Sequence, residues 1–187
     1  MKAIKPKTKK IVLAGKHIFL RPPALADLSE YTTLRNQSTR LCRGLLNPFK
    51  GKKQFVDYIR PSQNRQYYRF FICRNEDRQI VGSIGVFLIE RSLFQSGCIG
   101  YMVGGPYVRQ GYATEALQLL LHFVFDTLKL HRVEANIQPG NAASIALAKR
   151  AGFKLEGYSP RFLKICGQWR DHERWAILVE DWRKKKR

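Results

Sequence analysis

Apolar positions along the chain fall into two periods, and the change from one to the other outlines the elements. Leu117, Leu120, Leu121, Val124 and Leu128 recur at helical spacing after the turn Val108-Arg109-Gln110-Gly111, so a helix with one apolar face follows Gly111. Before that turn, Cys98 to Val103 has the β-branched and aromatic content of a strand, closed by Gly104-Gly105-Pro106. After the helix, Val133, Ala135 and Ile137 alternate with Arg132, Glu134, Asn136 and Gln138, the period of a strand with two unlike faces. Pro139-Gly140 ends that strand, and Asn141 is placed to cap a short helix that Gly152 closes. Nearer the start, the pattern predicts a strand over 17–22, a helix over 24–37 with Leu28, Tyr31 and Leu34 on one face, and a helical piece over 53–59 that stops at Pro61. Neighbouring strands are predicted over 67–74 and 79–89, joined by the polar turn Asn75-Glu76-Asp77-Arg78.

The strand, glycine turn and helix around Gly111 carry candidate chemistry. The first N–H groups of a helix lack intrahelical partners and sit at the positive end of the peptide dipoles, so a phosphate is favoured there. Gly111 lets the backbone approach such a ligand where a Cβ would hold it away. A turn that merely relieves crowding fits the same residues.

The run from the Gly111 turn through helix, strand and Asn-capped helix to Gly152-Phe153 resembles the core of the GNAT superfamily of acetyl-CoA-dependent N-acetyltransferases, and seven segments in order carry a narrower likeness. They are Ile18-Phe19-Leu20-Arg21-Pro22, Val81-Gly82-Ser83-Ile84-Gly85, Gly111 through Ala116, and His131 through Ala135, followed by Pro139-Gly140-Asn141 with Ser144, Gly152-Phe153 with Glu156-Gly157, and Gly167 through His172. More narrowly, the set resembles the ribosomal-protein-alanine acetyltransferases of the RimJ and RimL type. The resemblance implies an α/β (α+β) GNAT fold: a mixed, mostly antiparallel central sheet, splayed between two central parallel strands, with helices on both faces. It implies acetyl-CoA as cosubstrate and no metal. The diphosphate falls to the N–H groups from Arg109 through Gln110, Gly111 and Tyr112 to Ala113, with Val108 as a cofactor-binding position at the start of the loop, and the acyl arm to the gap beside Met102 and Val103. Asn141 and Ser144 would meet the pantetheine arm, although a plain helix cap accounts equally well for Asn141.

For catalysis the resemblance points to direct attack by an amine in a ternary complex. Glu134 is the candidate base, acting directly or through one water; pairing with Arg132 is its competing role. Glu156, His131 and Asp171-His172 rank lower. Much of the superfamily has a tyrosine that protonates the departing thiolate where this chain has Ala148, so Ser144 or Tyr158 is the candidate acid. Val108 stands where the family's phosphate loop usually begins with Gln or Arg, which removes a side-chain contact but leaves the backbone ones. Arg35, Arg40, Arg43 and Pro48 are expected beside the acceptor.

The resemblance favours a protein N-terminal amine as acceptor, such as an alanine of a ribosomal protein. The alternatives are a small amine or antibiotic, or a ribosome-assembly or RNA-binding factor on the same scaffold. An α-amino group, with a reference pKa of roughly 7.7 to 8.0 against roughly 10.4 for lysine, asks less of a base.

Composition adds limits. The 187 residues, 44% hydrophobic, suit one domain over 16–182, between a basic N-terminal extension over 1–15 and a basic tail over 183–187. Lys and Arg number 34 against 14 Asp and Glu, a formal net charge of +20, and half of that excess lies in Lys2, Lys5, Lys7, Lys9, Lys10 and residues 183–187. These two tails suggest contact with RNA or the ribosome, beside a plain role in solubility. Cys42, Cys73, Cys98 and Cys166 form no CxxC pair and read as reduced thiols. No stretch is long enough to span a bilayer, and Ile11 to Ala14 is too short for the core of a signal peptide, so a cytoplasmic protein without a membrane partner is expected, as monomer or homodimer.

Overall fold

The computed structural model of the chain describes residues 12–39, 49, 51–60 and 66–185. The strands Leu13–Ala14 (β1), Ile18–Arg21 (β2), Tyr68–Arg74 (β3), Ile80–Glu90 (β4), Ser96–Val103 (β5), Arg132–Ile137 (β6), Lys154–Ile165 (β7) and Gln168–Leu178 (β8) form one sheet. Their order is β1-β2-β3-β4-β5-β6-β8-β7. Every neighbouring pair is antiparallel except β5 with β6, which is parallel. The helices are Leu28–Asn36 (α1), Lys52–Ile59 (α2), Tyr112–His122 (α3), Ala142–Ala151 (α4) and Val179–Lys185 (α5).

Alternation along the strands sends side chains to two separate cores. Phe70, Ile72, Ile84, Val86, Ile99, Val133, Ala135 and Ile137 face α3 and α4. Phe19, Phe71, Cys73, Ile80 and Met102 face the other way, against Tyr31 and Leu34 of α1 and Phe55 of α2. Leu117, Leu120 and Leu121 of α3 are no more than 1% exposed, and at roughly 2 kcal/mol for each buried leucine this face fixes the helix to the sheet. That anchoring matters because the start of α3 is where the candidate chemistry lies.

Beyond His122 the helix widens to a π-helical turn over Phe123–Thr127, where Leu128 N–H bonds the Phe123 carbonyl. Phe123, Val124 and Phe125 are consecutive and all buried, a breadth that an α-helical stripe does not cover. The helix expected over 24–37 begins as a single 3-10 turn, Leu25–Asp27. Asp27 explains that entry: its carboxylate takes a forked pair of bonds from Arg21 at 2.7 and 2.8 Å and a third from the Ala24 N–H at 2.7 Å.

The ends of the domain differ from expectation. Leu13–Ala14, assigned by sequence to the N-terminal extension, pairs with β2 as an edge strand. Arg183, Lys184 and Lys185, assigned to the tail, form the last turn of α5, because Trp182 is buried against His122 and Phe125 and carries the helix with it. Lys2 to Lys10 lie outside the described residues. Among the described residues no helix is long and apolar enough to cross a membrane.

Candidate active site

The turn before α3 is built from two left-handed residues. Val108 is extended, Arg109 has φ 63° and Gly111 has φ 84°. The Gly111 carbonyl accepts the first helical bonds, from Thr114 N–H at 3.0 Å and Glu115 N–H at 3.1 Å. The N–H groups of Gly111, Tyr112 and Ala113 therefore have no acceptor within the helix. A Cβ at Gly111 would meet nothing within 4 Å, so the glycine faces open space rather than relieving a clash. Glu115, an acid at the same helix mouth, is drawn aside: its carboxylate accepts from the His17 N–H at 2.9 Å and lies 3.2 Å from His17 Nδ1. This staple brings Gly15, Lys16 and His17 to the rim.

The strand pairing breaks close by. β5 and β6 share three rungs, Ser96 with Arg132, Gly97 with Val133 and Cys98 with Glu134, and no further pairing joins Ile99–Val103 to Ala135–Ile137. The parallel strands thus part after Cys98 and Glu134 and leave a slot. Tyr101 crosses its α3 side, donating its hydroxyl to the Ser144 carbonyl at 3.3 Å, and burial raises its phenol pKa, so it stays a donor. On that side lies a cavity of about 1650 Å³. Met102, Val103, Val108, Arg109, Gln110, Gly111, Tyr112, Ala113, Asn141 and Ser144 all line it. Asn141 caps α4, its side-chain oxygen accepting from Ser144 N–H at 3.2 Å.

The other catalytic candidates lie elsewhere. Glu134 is on the opposite sheet face at the last rung of the slot, 2.7 Å from Arg132 Nε. Arg132 gives its remaining nitrogens to both oxygens of Glu156, which holds the Glu156 carboxyl below the usual range. Tyr158 is exposed on β7 and donates to Asp171, which also accepts from Arg161 N–H at 2.7 Å; that bond to Asp171 raises the Tyr158 pKa. His131 lies 3.3 Å from Glu180, and His172 is buried with Nδ1 3.0 Å from the Arg170 carbonyl. Ala148, on α4, is buried in the core. Arg35 is buried with its guanidinium 4.2 Å from the Phe49 ring centre, while Cys42, Arg40, Arg43 and Pro48 fall outside the described residues.

This arrangement has known counterparts. The profile of the acetyltransferase (GNAT) domain matches residues 17–154. The chain belongs to the GNAT acetyltransferase family. It is similar to a Bacillus subtilis protein named as a probable N-acetyltransferase, YjcK, at 31% identity over 91% of this chain and 98% of the relative. It is also similar to the Escherichia coli [ribosomal protein uS5]-alanine N-acetyltransferase, at 35% identity over 64% of this chain and 61% of the relative. The structure of Mycobacterium smegmatis RimJ in complex with CoA-disulfide superposes with a TM-score of 0.78 at 28% identity, covering 90% of this chain and 85% of that one. The chain is thus an N-acetyltransferase with the GNAT fold, its mixed sheet carrying one parallel pair.

The cavity of this acetyltransferase suits a long coenzyme with an anionic head. Its mouth offers unpaired helix N–H groups and a glycine facing open space, and its floor ends at the slot. Sequence reasoning did not anticipate Lys16 and His17 at the rim, Tyr101 across the slot, or Gln118 and Arg150 on the walls. Lys16 and His17 are remote in sequence, and the Glu115 staple, with bonds from Asn75 to the Gly15, Lys16 and His17 carbonyls, brings them there. Tyr101 had a signal, as an aromatic hydroxyl in the strand that ends at the turn. Among the described residues no cluster of His, Cys, Asp and Glu has the makings of a metal site.

Proposed function

We propose that this acetyltransferase moves an acetyl group from acetyl-CoA to the α-amine of a protein N-terminus, with an alanine of a ribosomal protein as acceptor. The observation that carries the reading is the two-sided slot: the coenzyme-sized cavity opens on one sheet face, and the Glu134 carboxylate stands at the same rung on the other. A coenzyme entering from the α3 side brings its acyl end to an amine arriving from the Glu134 side. The acceptor class is supported by the name of the relative from Escherichia coli.

When bound, acetyl-CoA supplies an activated acyl carbon joined to sulfur. Backbone N–H groups of Gly111, Tyr112 and Ala113 hold the diphosphate, and Asn141 and Ser144 flank the pantetheine arm. Along the slot edge of β5, N–H groups near Met102 and Val103 that no β6 strand occupies stabilise charge on the thioester oxygen. The amine nitrogen bonds to the acyl carbon as the carbon–sulfur bond breaks. Glu134 takes the amine proton, directly or through one water, and the sulfur takes a proton from Ser144 or from solvent. Ser144 is favoured over Tyr158 because it lines the cavity while the Tyr158 hydroxyl is engaged by Asp171.

Release of free CoA is the assay. A peptide beginning with alanine supports turnover, and the same peptide with a blocked N-terminus, or a polyamine, does not. Turnover of polyamines alone overturns the acceptor assignment. Glu134→Gln lowers kcat on the alanine peptide, and an unchanged rate removes Glu134 from the reaction; unchanged turnover by Ser144→Ala removes Ser144. The basic residues at both ends add an RNA contact to this reading. Filter binding of ribosomal RNA then weakens as salt rises, and affinity without a salt slope ends that part.

A further inference from the structure

The sheet face turned away from α3 carries a row with almost no side chains. Arg69 on β3 pairs with Gly85 on β4, and Gly85 pairs with Gly100 on β5. The row meets the slot at Gly100, two residues past the last shared rung of β5 and β6. Across the slot it resumes with Asn136, whose partner on β8 is Arg174. Two contacts fix these residues on one face: a Cβ on Gly100 would meet the Phe87 ring at 3.1 Å, and the Asn136 amide lies 3.4 Å from Cys98 Sγ.

The missing side chains at Gly85 and Gly100 therefore leave a shallow trough that runs to the reaction slot, with the edge of the Phe87 ring leaning over Gly100. Tyr67 and Phe87, stacked at 5.8 Å, form one wall, and Tyr58 and Ser83 stand on the other side. Arg69 closes the far end. Its guanidinium lies 3.4 Å from the Tyr58 ring centre and 4.9 Å from that of Tyr67, and it donates to the Tyr58 carbonyl and the Tyr67 hydroxyl. Stacking and these bonds hold the cation in place before any ligand arrives. Among the described residues no carboxylate pairs with it, whereas Arg132, four residues before Asn136 on β6, holds two. Arg69, Tyr67, Phe87, Gly100 and Asn136 are all half-buried and Gly85 is buried, so a ligand meets the walls, Gly100 and Arg69 rather than the backbone at Gly85.

We infer that this trough receives the first residues of the acceptor chain and that Arg69 selects an acidic side chain at the third position. The inference rests on the N-terminal-amine reading above. Neighbouring strands lie about 4.8 Å apart, which puts the Arg69 backbone about 10 Å from Gly100; an extended peptide advances about 3.3 Å per residue, so with its amine at the slot its third residue stands about 7 Å along, and the side chains of Arg69 and of that residue span the remaining ~3 Å. The bond from Arg69 to the Tyr58 carbonyl, near the end of α2, serves also as a helix cap, but it leaves the positive charge uncancelled.

The test compares three hexapeptides that differ only at the third residue, Ala-Ala-Glu, Ala-Ala-Gln and Ala-Ala-Lys, by initial rate of CoA release. The expected order of kcat/KM is Glu above Gln above Lys, with about a tenfold span from Glu to Lys, the size that one charge-assisted hydrogen bond to Glu and the like-charge repulsion of Lys would give. The span should lie mainly in KM. Arg69→Met brings the Glu-to-Lys ratio close to one, and Arg69→Lys keeps the order. Because each ratio is read within one variant, loss of folded protein cancels. Equal rates on the three peptides, or a preference that survives Arg69→Met, overturn the role of Arg69 while leaving the N-terminal acceptor standing. No acetylation of any of the three overturns both.

Discussion

Replacing Gly111 with alanine separates the stability of the turn from its grip on the coenzyme. The residue sits at φ 84°, and an added Cβ meets nothing within 4 Å. The fold therefore loses only the cost of an L-residue in the left-handed region, about 1–2 kcal/mol, without a steric penalty. For a domain of this size that lowers Tm by a few degrees. The ligand loses more, because the new methyl group projects into the cradle formed by the Gly111, Tyr112 and Ala113 N–H groups. Displacing a diphosphate from one such bond costs about 1.5–3 kcal/mol, or roughly ten- to a hundredfold in affinity. Calorimetric titration with CoA should show that drop, while S-acetylpantetheine, which lacks the diphosphate, should lose less than about threefold when measured by competition. Equal weakening of both ligands, or undiminished CoA affinity, would refute the reasoning.

Three further outcomes follow from particular contacts. Asp27→Ala removes a buried carboxylate that holds the Arg21 fork and the Ala24 N–H, and should destabilise the domain by about 2–4 kcal/mol in chemical denaturation, with Arg21→Ala giving a similar loss; a change under about 1 kcal/mol contradicts the pairing. Asn141→Ala should cost about 1 kcal/mol as a lost helix cap, and a fall in CoA affinity beyond what that cap explains would mark its side chain as a ligand contact. Burial pushes the Cys73 and Cys98 thiols up to about 11, with the nearby Glu134 adding to the effect at Cys98. Their neutral forms favour the fold, so that stability is present below the unfolded thiol value of about 8.5 and is lost as pH rises toward 11, which denaturation midpoints across pH 8 to 11 measure; a flat profile contradicts it.

Much of the central unit was legible in the residues. The leucine period after Gly111 placed α3 and its buried face, the alternation from Arg132 placed β6 with the acidic and basic residues on one side, and Asn141 with Gly152 bounded α4. The resemblance supplied the mixed sheet and its splay; spacing could not, because a strand's composition does not record where pairing stops. β7 was hidden for a different reason: nearly all its side chains are exposed, and register shifts after Leu155 and Ser159 erase any period of two. α5 was masked by its run of lysines and arginines, since only Trp182 reports burial there. The cavity residues expected from the phosphate turn came together because they are local in sequence. Lys16, His17 and the Arg69 trough required long-range register and a carboxylate staple that no local pattern reveals.

The two-sided slot meets its most direct test in a crystal structure with acetyl-CoA bound. The diphosphate oxygens should lie about 2.7–3.2 Å from the N–H groups of Gly111 to Ala113, with the acyl carbon between β5 and β6 just past the Cys98–Glu134 rung. A coenzyme bound away from that turn, or an acyl end that never enters the gap between the two strands, would contradict it.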